Sequence, residues 1–306
     1  MTSASIAQDV ALETPPVPRG LPAPLRKMLA FLAVVLVLCG LWEGYKAVGV
    51  AIDGQDLPCG LTRMPVCPND YSMPHLWTIG GALFQETRRG SEDILLTTIA
   101  KAALFTWREA AVGFVFGSVF GFLLGAIFGR FLLLERSLMP YIVASQTVPL
   151  LAIAPMIVIW GGRLNFPAWW AVTIISAYLT FFPVTINTLR GLRSPNPTAV
   201  ELMRSYAASD LQVLWKLRLP AALPYIFTAL KVSATTSVIG AIVGELPSGI
   251  PDGLGRVLLT FSYYFVSGPE KLYAAIVGAA ALGILFAAVV ALAERLTIPE
   301  GRRLSE

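Results

Sequence analysis

Long apolar blocks alternate with short polar stretches along most of this 306-residue chain. Each block is about 20 residues long, which is the length that an α-helix needs to cross a hydrocarbon core of roughly 30 Å. The pattern predicts an all-α membrane protein built as a six-span helical bundle. The predicted spans are Leu29–Val50, Ala110–Gly129, Tyr141–Trp160, Ala168–Ile186, Tyr225–Glu245 and Leu272–Leu292.

The composition agrees with this interpretation. The chain is 56% hydrophobic and 14% charged, whereas a soluble domain carries roughly a quarter charged residues. The sequence pI of about 9.0 therefore reflects loop charges and membrane orientation, and we expect no nucleic-acid partner.

The basic residues predict the orientation. With the N-terminus inside, thirteen of the 23 Lys and Arg fall on the inner side and nine outside, mostly in one long loop where the positive-inside rule has little force. We therefore expect both termini in the cytoplasm. Segments 1–27 and 297–306 are predicted to be cytoplasmic tails, the first of them disordered, and 28–94 to hold the first span and a periplasmic loop.

Three cysteines give one indication of compartment. Cys39 lies in the first predicted span, where a cysteine behaves as a small apolar residue. Cys59 and Cys67 lie in the long outer loop, where an oxidising periplasm favours a disulfide between them. The alternative is two free thiols.

Glycines recur at every fourth position of the second span. Because four residues turn a helix by about 400°, they form one slowly drifting stripe along which another backbone can approach closely. Tight packing within one subunit is favoured over a dimer interface. The glycines are Gly113, Gly117, Gly121, Gly125 and Gly129.

The third span contains Gln146, Pro149 and Pro155. A proline removes a backbone donor and crowds the preceding turn, so this helix should be kinked or broken. Since freed carbonyls in a membrane must face protein or water, these residues and Glu245 are candidates for a solute path. The alternatives are a structural kink for the third span, and an ion pair or helix-end position for Glu245.

Catalytic signatures are missing from the sequence. His75 is the only histidine, and no G-x-x-x-x-G-K-[ST] phosphate loop occurs. We therefore expect a non-catalytic subunit with no cofactor and no metal site.

The stretch between the fourth and fifth spans has strong local signals. Thr198 and Glu201 form a T-x-x-E capping box, which predicts a helix from about Ala199 to Ala207–Ala208. Ser209 and Gln212 form a second box, which predicts another short helix that Pro220 ends. Two separately capped helices outside the membrane suggest a docking device.

This stretch resembles the "EAA" loop of ABC importer permeases. Glu201 matches the glutamate, Ala207 stands at the glycine position, Leu217 at the isoleucine position, and Leu219-Pro220 closes the motif. Leu202 and Met203 replace the two alanines of the pattern. The resemblance covers roughly Leu95–Leu296 and is closest to nitrate, sulfonate, taurine and thiamine-precursor permeases.

The resemblance implies a type I importer fold, with a permease core over 95–296 and a coupling loop over 198–220. It also implies a bacterial inner membrane with its lipid, two cytoplasmic ATPase subunits and a periplasmic solute-binding protein. A second permease subunit is implied as well, and we expect it to be another copy of this chain. The residues expected to contact the ATPase are Glu201, Arg204, Tyr206, Ala207, Leu211, Leu214, Trp215 and Pro220.

Two alternatives stay open. One is an ion-coupled secondary transporter or channel, which is disfavoured because the spans hold few charges and show no repeated halves. The other is a membrane enzyme. Among solutes, a small organic molecule (pyrimidine-like or a sulfonate) is favoured over an inorganic anion, because the spans offer few cationic groups.

Overall fold

The computed structural model describes residues 23–54, 65–87, 90 and 93–298. These residues form helices and one isolated bridge between Glu86 and Ile94, so the all-α prediction is confirmed. The α-helices are α1 (Ala23–Asp53), α2 (Leu76–Ala82), α3 (Leu95–Arg130), α4 (Leu132–Ser145), α5 (Leu150–Arg163), α6 (Ala168–Leu192), α7 (Pro197–Ser205), α8 (Asp210–Val213), α9 (Leu219–Ser248), α10 (Leu254–Tyr263) and α11 (Pro269–Thr297).

Five helical stretches are long and apolar enough to cross a membrane, and a sixth span results if the bent pair α4 and α5 counts as one. Several helices extend beyond the predicted spans. Helix α3 starts at Leu95, fifteen residues before Ala110. Helix α1 starts at Ala23, inside the segment predicted as a tail.

The chain divides into two compact units, Met1–Asn69 and Asp70–Glu306. In the first, the Tyr45 hydroxyl bonds both backbone groups of Val66, at 3.1 Å to the oxygen and 3.0 Å from the nitrogen. Cys67 is disulfide-bonded and Cys39 is a free thiol. Cys59 lies outside the described residues, so its pairing with Cys67 stays a prediction.

The second unit is organised around α3, α6 and α9. The glycine stripe of α3 lies directly against α6, as tight packing within one subunit predicts. A methyl group added to Gly125 would come within 2.8 Å of the Thr188 Cβ, so the two backbones could not approach as they do. Close van der Waals packing of this kind drives helix association in lipid.

Hydroxyl side chains complete the packing between α6 and α9. Ser176 donates to the Ser237 carbonyl at 2.8 Å, and Ser233 donates to the Thr180 carbonyl at 3.2 Å. Two residues before Ser233, Lys231 forms an ion pair of 3.1 Å with Glu294 of α11. A charge inside a span is expensive unless it is paired, and this pair meets that requirement.

The third predicted span is broken, as its prolines predict. Helices α4 and α5 meet at 96° across residues 146–149. The break falls at Pro149, which directly precedes α5, whereas Pro155 is accommodated within α5. The Ser145 carbonyl at the break accepts a hydrogen bond from the Tyr178 hydroxyl of α6 at 2.5 Å, so this backbone group is paired.

Candidate functional site

The loop between α6 and α9, residues 194–218, contains two short helices and is called the two-helix loop below. Its first helix, α7, begins at Pro197 rather than at Ala199. The side chain of Asn196 caps it by accepting from the Thr198 backbone nitrogen at 3.0 Å. The prediction of a capping box at Thr198 is therefore wrong. Asparagine is at least as good a cap as threonine, and proline fits the first helical position.

Helix α7 ends at Ser205 in a left-handed turn. The Ala208 nitrogen donates to the Met203 carbonyl at 3.1 Å, the Ala207 nitrogen donates to the Arg204 carbonyl at 2.9 Å, and Ala207 has φ of 55°. These bonds define a Schellman motif, in which the left-handed position normally holds glycine. The glycine position of the EAA pattern therefore has a physical basis here, and alanine occupies it at some conformational cost.

The second helix begins as predicted. The Ser209 hydroxyl accepts from the Gln212 nitrogen at 3.3 Å, and the Gln212 side chain accepts from the Ser209 nitrogen at 2.8 Å. Both bonds of the capping box are present.

Pro220 does not end this helix, and that prediction is wrong. Helix α8 continues through a π-helical turn, Leu214–Arg218, directly into α9, so that 210–248 is one helical run. Pro220 lies in the first turn of α9. The wider π turn before it gives the proline ring the space that a regular α-turn would deny it.

The apolar residues of the two-helix loop separate into two groups. Tyr206, Leu211 and Trp215 are 80%, 64% and 62% exposed. Leu214 instead packs against a small core formed by Leu192, Ala222 and Ile226. Of the other predicted contact residues, Glu201, Arg204 and Ala207 are exposed, and Pro220 is half-buried.

The candidate path residues do not form one cluster in this structure. Gln146 and Pro149 are exposed in the break between α4 and α5, and Pro155 is half-buried in α5. Glu245 is fully buried, and its hydrogen bonds go to α3 and α10 rather than to the break.

The carboxylate of Glu245 joins three helices. Thr106 of α3 donates to it at 2.6 Å, and the Gly255 backbone nitrogen of α10 donates to it at 2.5 Å. The Thr106 hydroxyl also accepts from the Leu254 nitrogen at 2.8 Å. The N-terminus of α10 is thereby held to the bundle by the side chain of Glu245. These residues, with Glu109, are called the Glu245 cluster.

Sequence reasoning missed Glu109, Thr106 and the start of α10. Glu109 is 2% exposed and lies near enough to Glu245 for the two carboxyl groups to interact. Within the described residues neither of its oxygens has a hydrogen-bond partner. The one available signal was a glutamate inside an apolar helix, beside Arg108, which is unusual for a span.

The described residues include no group of three or more His, Cys, Asp or Glu side chains that could hold a metal ion.

The fold and the apolar helices define an integral inner-membrane protein of the helical permease kind. Residues 117–298 match the family model of binding-protein-dependent transport system inner membrane components. The chain belongs to this family.

Several relatives have related sequences. The formylaminopyrimidine transport permease protein ThiX of Halalkalibacterium halodurans is 37% identical over 165 residues, covering 54% of this chain and 63% of the relative. The riboflavin transport system permease protein RibX of Chloroflexus aurantiacus is 33% identical over 41% of this chain and 45% of the relative. The matched segments thus span about half to two thirds of these relatives. A putative aliphatic sulfonates transport permease protein, SsuC of Escherichia coli, is 33% identical over 63% of this chain and 71% of the relative.

A solved structure has the same fold. The crystal structure of an amino acid ABC transporter with histidines matches 65% of this chain and 94% of its own chain, with a TM-score of 0.53 and 17% identity. The predicted all-α fold of the type I permease kind is confirmed.

Proposed function

We propose that this chain is the transmembrane permease subunit of an ATP-driven importer, which couples to a separate ATPase subunit through the two-helix loop. The observation that carries the proposal is the continuous helical run from α8 into α9. The exposed end of the loop is thereby joined to a membrane-spanning helix without an intervening flexible segment.

Coupling of this kind requires rigidity. An importer must convert the closure of soluble ATPase subunits into a rearrangement of membrane helices, and a floppy loop would absorb the motion. The Asn196 cap, the Schellman motif at Ala207 and the capping box at Ser209 each fix part of the loop. The two N-caps, Asn196 and Ser209, contribute about 1 kcal/mol each. Tyr206, Leu211 and Trp215 are the exposed groups that would enter a groove on the ATPase.

The proposed assembly has two copies of this chain, two ATPase subunits that hydrolyse ATP, and a periplasmic solute-binding protein. The family description and the names of the relatives support it. The excess of Lys and Arg on the side of the two-helix loop supports cytoplasmic termini.

The proposed cargo is a small organic solute, either pyrimidine-like or a sulfonate or related anion. Relatives named for formylaminopyrimidine, aliphatic sulfonates and taurine support this range. The proposed solute path passes the break at Gln146–Pro149 and the buried Glu245, which supply polar groups along it.

The test uses a matched pair of variants at Ala207. Aspartate and asparagine both tolerate left-handed backbone, so Ala207→Asp and Ala207→Asn differ only in charge at the exposed tip of the loop. We expect both to insert into the membrane. Ala207→Asp should lose its ATPase partner and substrate-stimulated hydrolysis, and Ala207→Asn should keep both. Co-purification of the ATPase with both variants at wild-type levels would count against the coupling site.

A double variant tests the contact face. Leu211→Asp combined with Trp215→Asp places charges on the two exposed apolar groups of the second helix without disturbing the core around Leu214. We expect loss of ATPase co-purification with no change in membrane insertion. A complex that survives both charges would show that this face is not the contact.

A further inference from the structure

A cavity lies between the two-helix loop and the ends of the spanning helices. Its volume is about 400 Å³. It lies where α3 ends at Arg130, where α6 ends at Leu192 and where the π turn leads into α9. The cavity therefore lies at the end of the helical bundle, next to the last residues of α3 and α6.

Three arginines from three different elements line this cavity, namely Arg130, Arg204 and Arg218. Arg130 forms an ion pair with Asp210 at 2.9 Å. Within the described residues, Arg204 and Arg218 have no carboxylate within 4.0 Å. Arg218 is also half-buried, so its charge is only partly solvated. The lining therefore carries two positive charges in excess.

The rest of the lining is mainly apolar. The apolar lining includes Ala126 of α3, Leu192 of α6 and Leu214 of the two-helix loop. A cationic rim on an apolar wall suits a ligand with an anionic group and an apolar body. Guanidinium groups bind phosphate through paired, charge-assisted hydrogen bonds.

We propose that this cavity binds the phosphate headgroup of an anionic phospholipid, with the acyl chains continuing along the apolar wall. Charge complementarity and the position at the ends of spanning helices support a lipid. Basic pockets between spanning helices are common sites for anionic headgroups. A bound lipid would neutralise Arg204 and Arg218 and brace the two-helix loop against the bundle.

The experiment uses the purified chain in neutral detergent, without an ATPase, so that its outcome does not depend on the proposed coupling. Native mass spectrometry measures retention of phosphatidylglycerol, with phosphatidylcholine and inorganic phosphate as separate additions. The variants are Arg204→Gln/Arg218→Gln and the control Arg136→Gln, which removes an exposed arginine of α4 outside the cavity lining.

We expect the wild type and Arg136→Gln to retain phosphatidylglycerol in preference to phosphatidylcholine. The double variant should retain it roughly 30-fold more weakly, from the ordinary contribution of two arginines near an anionic surface. A second variant, Ala126→Phe, fills the cavity but keeps all three arginines, and should also lose the lipid. Gel filtration of each variant checks that it is folded.

Three results would overturn the proposal. They are equal retention of phosphatidylcholine, retention of phosphatidylglycerol by the double variant at the level of Arg136→Gln, and displacement of the lipid by an equimolar amount of inorganic phosphate. The last would show that the cavity takes a free anion rather than a lipid.

Discussion

Helix α9 has a polar region at each end, and the two are stabilised in opposite ways. The two-helix loop precedes Leu219, and its capping and turn hydrogen bonds connect residues two to five positions apart on an exposed surface. The Glu245 cluster, near Ser248, is buried, and the Thr106–Glu245 and Thr106–Leu254 bonds connect residues more than 100 positions apart. One end can therefore keep its shape against a changing partner, whereas the other depends on the packing of the whole bundle.

The contrast predicts that substitutions in the Glu245 cluster cost much more stability than substitutions in the two-helix loop. Exposed groups that lose a partner can bond to water, and buried groups cannot. The predictions below test this difference from the largest expected effect to the smallest.

Glu245→Ala should cause the largest loss, about 3 kcal/mol of the free energy of unfolding, because it leaves the Thr106 hydroxyl and the Gly255 nitrogen unpaired. Denaturant titration of the purified protein measures this. Glu109→Gln is the control: neither oxygen of its carboxyl has a hydrogen-bond partner among the described residues, and the group faces another carboxyl, so an amide of the same shape should cost little. A larger loss from Glu109→Gln than from Glu245→Ala would reverse the assignment of roles.

Gly255→Ala should cost about 2 kcal/mol, as overpacking in a core does. A Cβ at this position would lie 2.8 Å from the Cβ of Glu245 and collide with the Ile242 carbonyl. Gly283→Ala in α11 is the control, since nothing lies within 4 Å of a Cβ there. Equal stability of the two variants, read from thermal unfolding midpoints, would show that α10 is not held closely against α9.

Asn196→Ala should cost about 1 kcal/mol through loss of the N-cap of α7. Thr198→Ala should change stability by less than about 0.5 kcal/mol, because it is an exposed residue whose side chain is not the cap. Urea titrations of both variants compare them directly. If Thr198→Ala is the more harmful change, the capping box expected from the sequence forms in solution after all.

Ala207→Gly should raise stability by about 0.5 kcal/mol, because glycine adopts the left-handed conformation without a steric cost. Ala208→Gly, one residue later and outside the left-handed position, should give no such gain. The difference between their unfolding midpoints measures the strain at Ala207. A loss of stability in Ala207→Gly would show that the turn carries no strain.

The same contrast explains what the sequence could predict. The Ser209 capping box and the turn at Ala207 are local features, set by residues a few positions apart. The sequence predicted the box, and it placed Ala207 at the glycine position of the EAA pattern. The break near Pro149 follows equally from the local chemistry of proline. The prediction at Thr198 was wrong because a stronger cap, Asn196, stands two residues earlier. The prediction at Pro220 was wrong because a π turn lets the helix continue past the proline.

The Glu245 cluster could not be predicted in the same way. Its partners come from α3 and α10, and no local pattern states that Thr106 and Gly255 meet at Glu245. Likewise, the spacing of Leu211, Leu214 and Trp215 places them on one helical face, but only packing shows that Leu214 faces the bundle. Contacts between distant segments are set by the fold as a whole.

The most direct test of the coupling claim is site-specific photo-crosslinking in cells. A photoreactive phenylalanine analogue is placed at Tyr206 in the two-helix loop or at Tyr264, which directly follows α10, since both side chains are exposed, at 80% and 64%. Adducts are identified by mass spectrometry. We predict that position 206 crosslinks to an ATPase subunit with a nucleotide-binding phosphate loop and that position 264 does not. An ATPase adduct from position 264, or none from position 206 in a complex that contains the ATPase, would contradict the account.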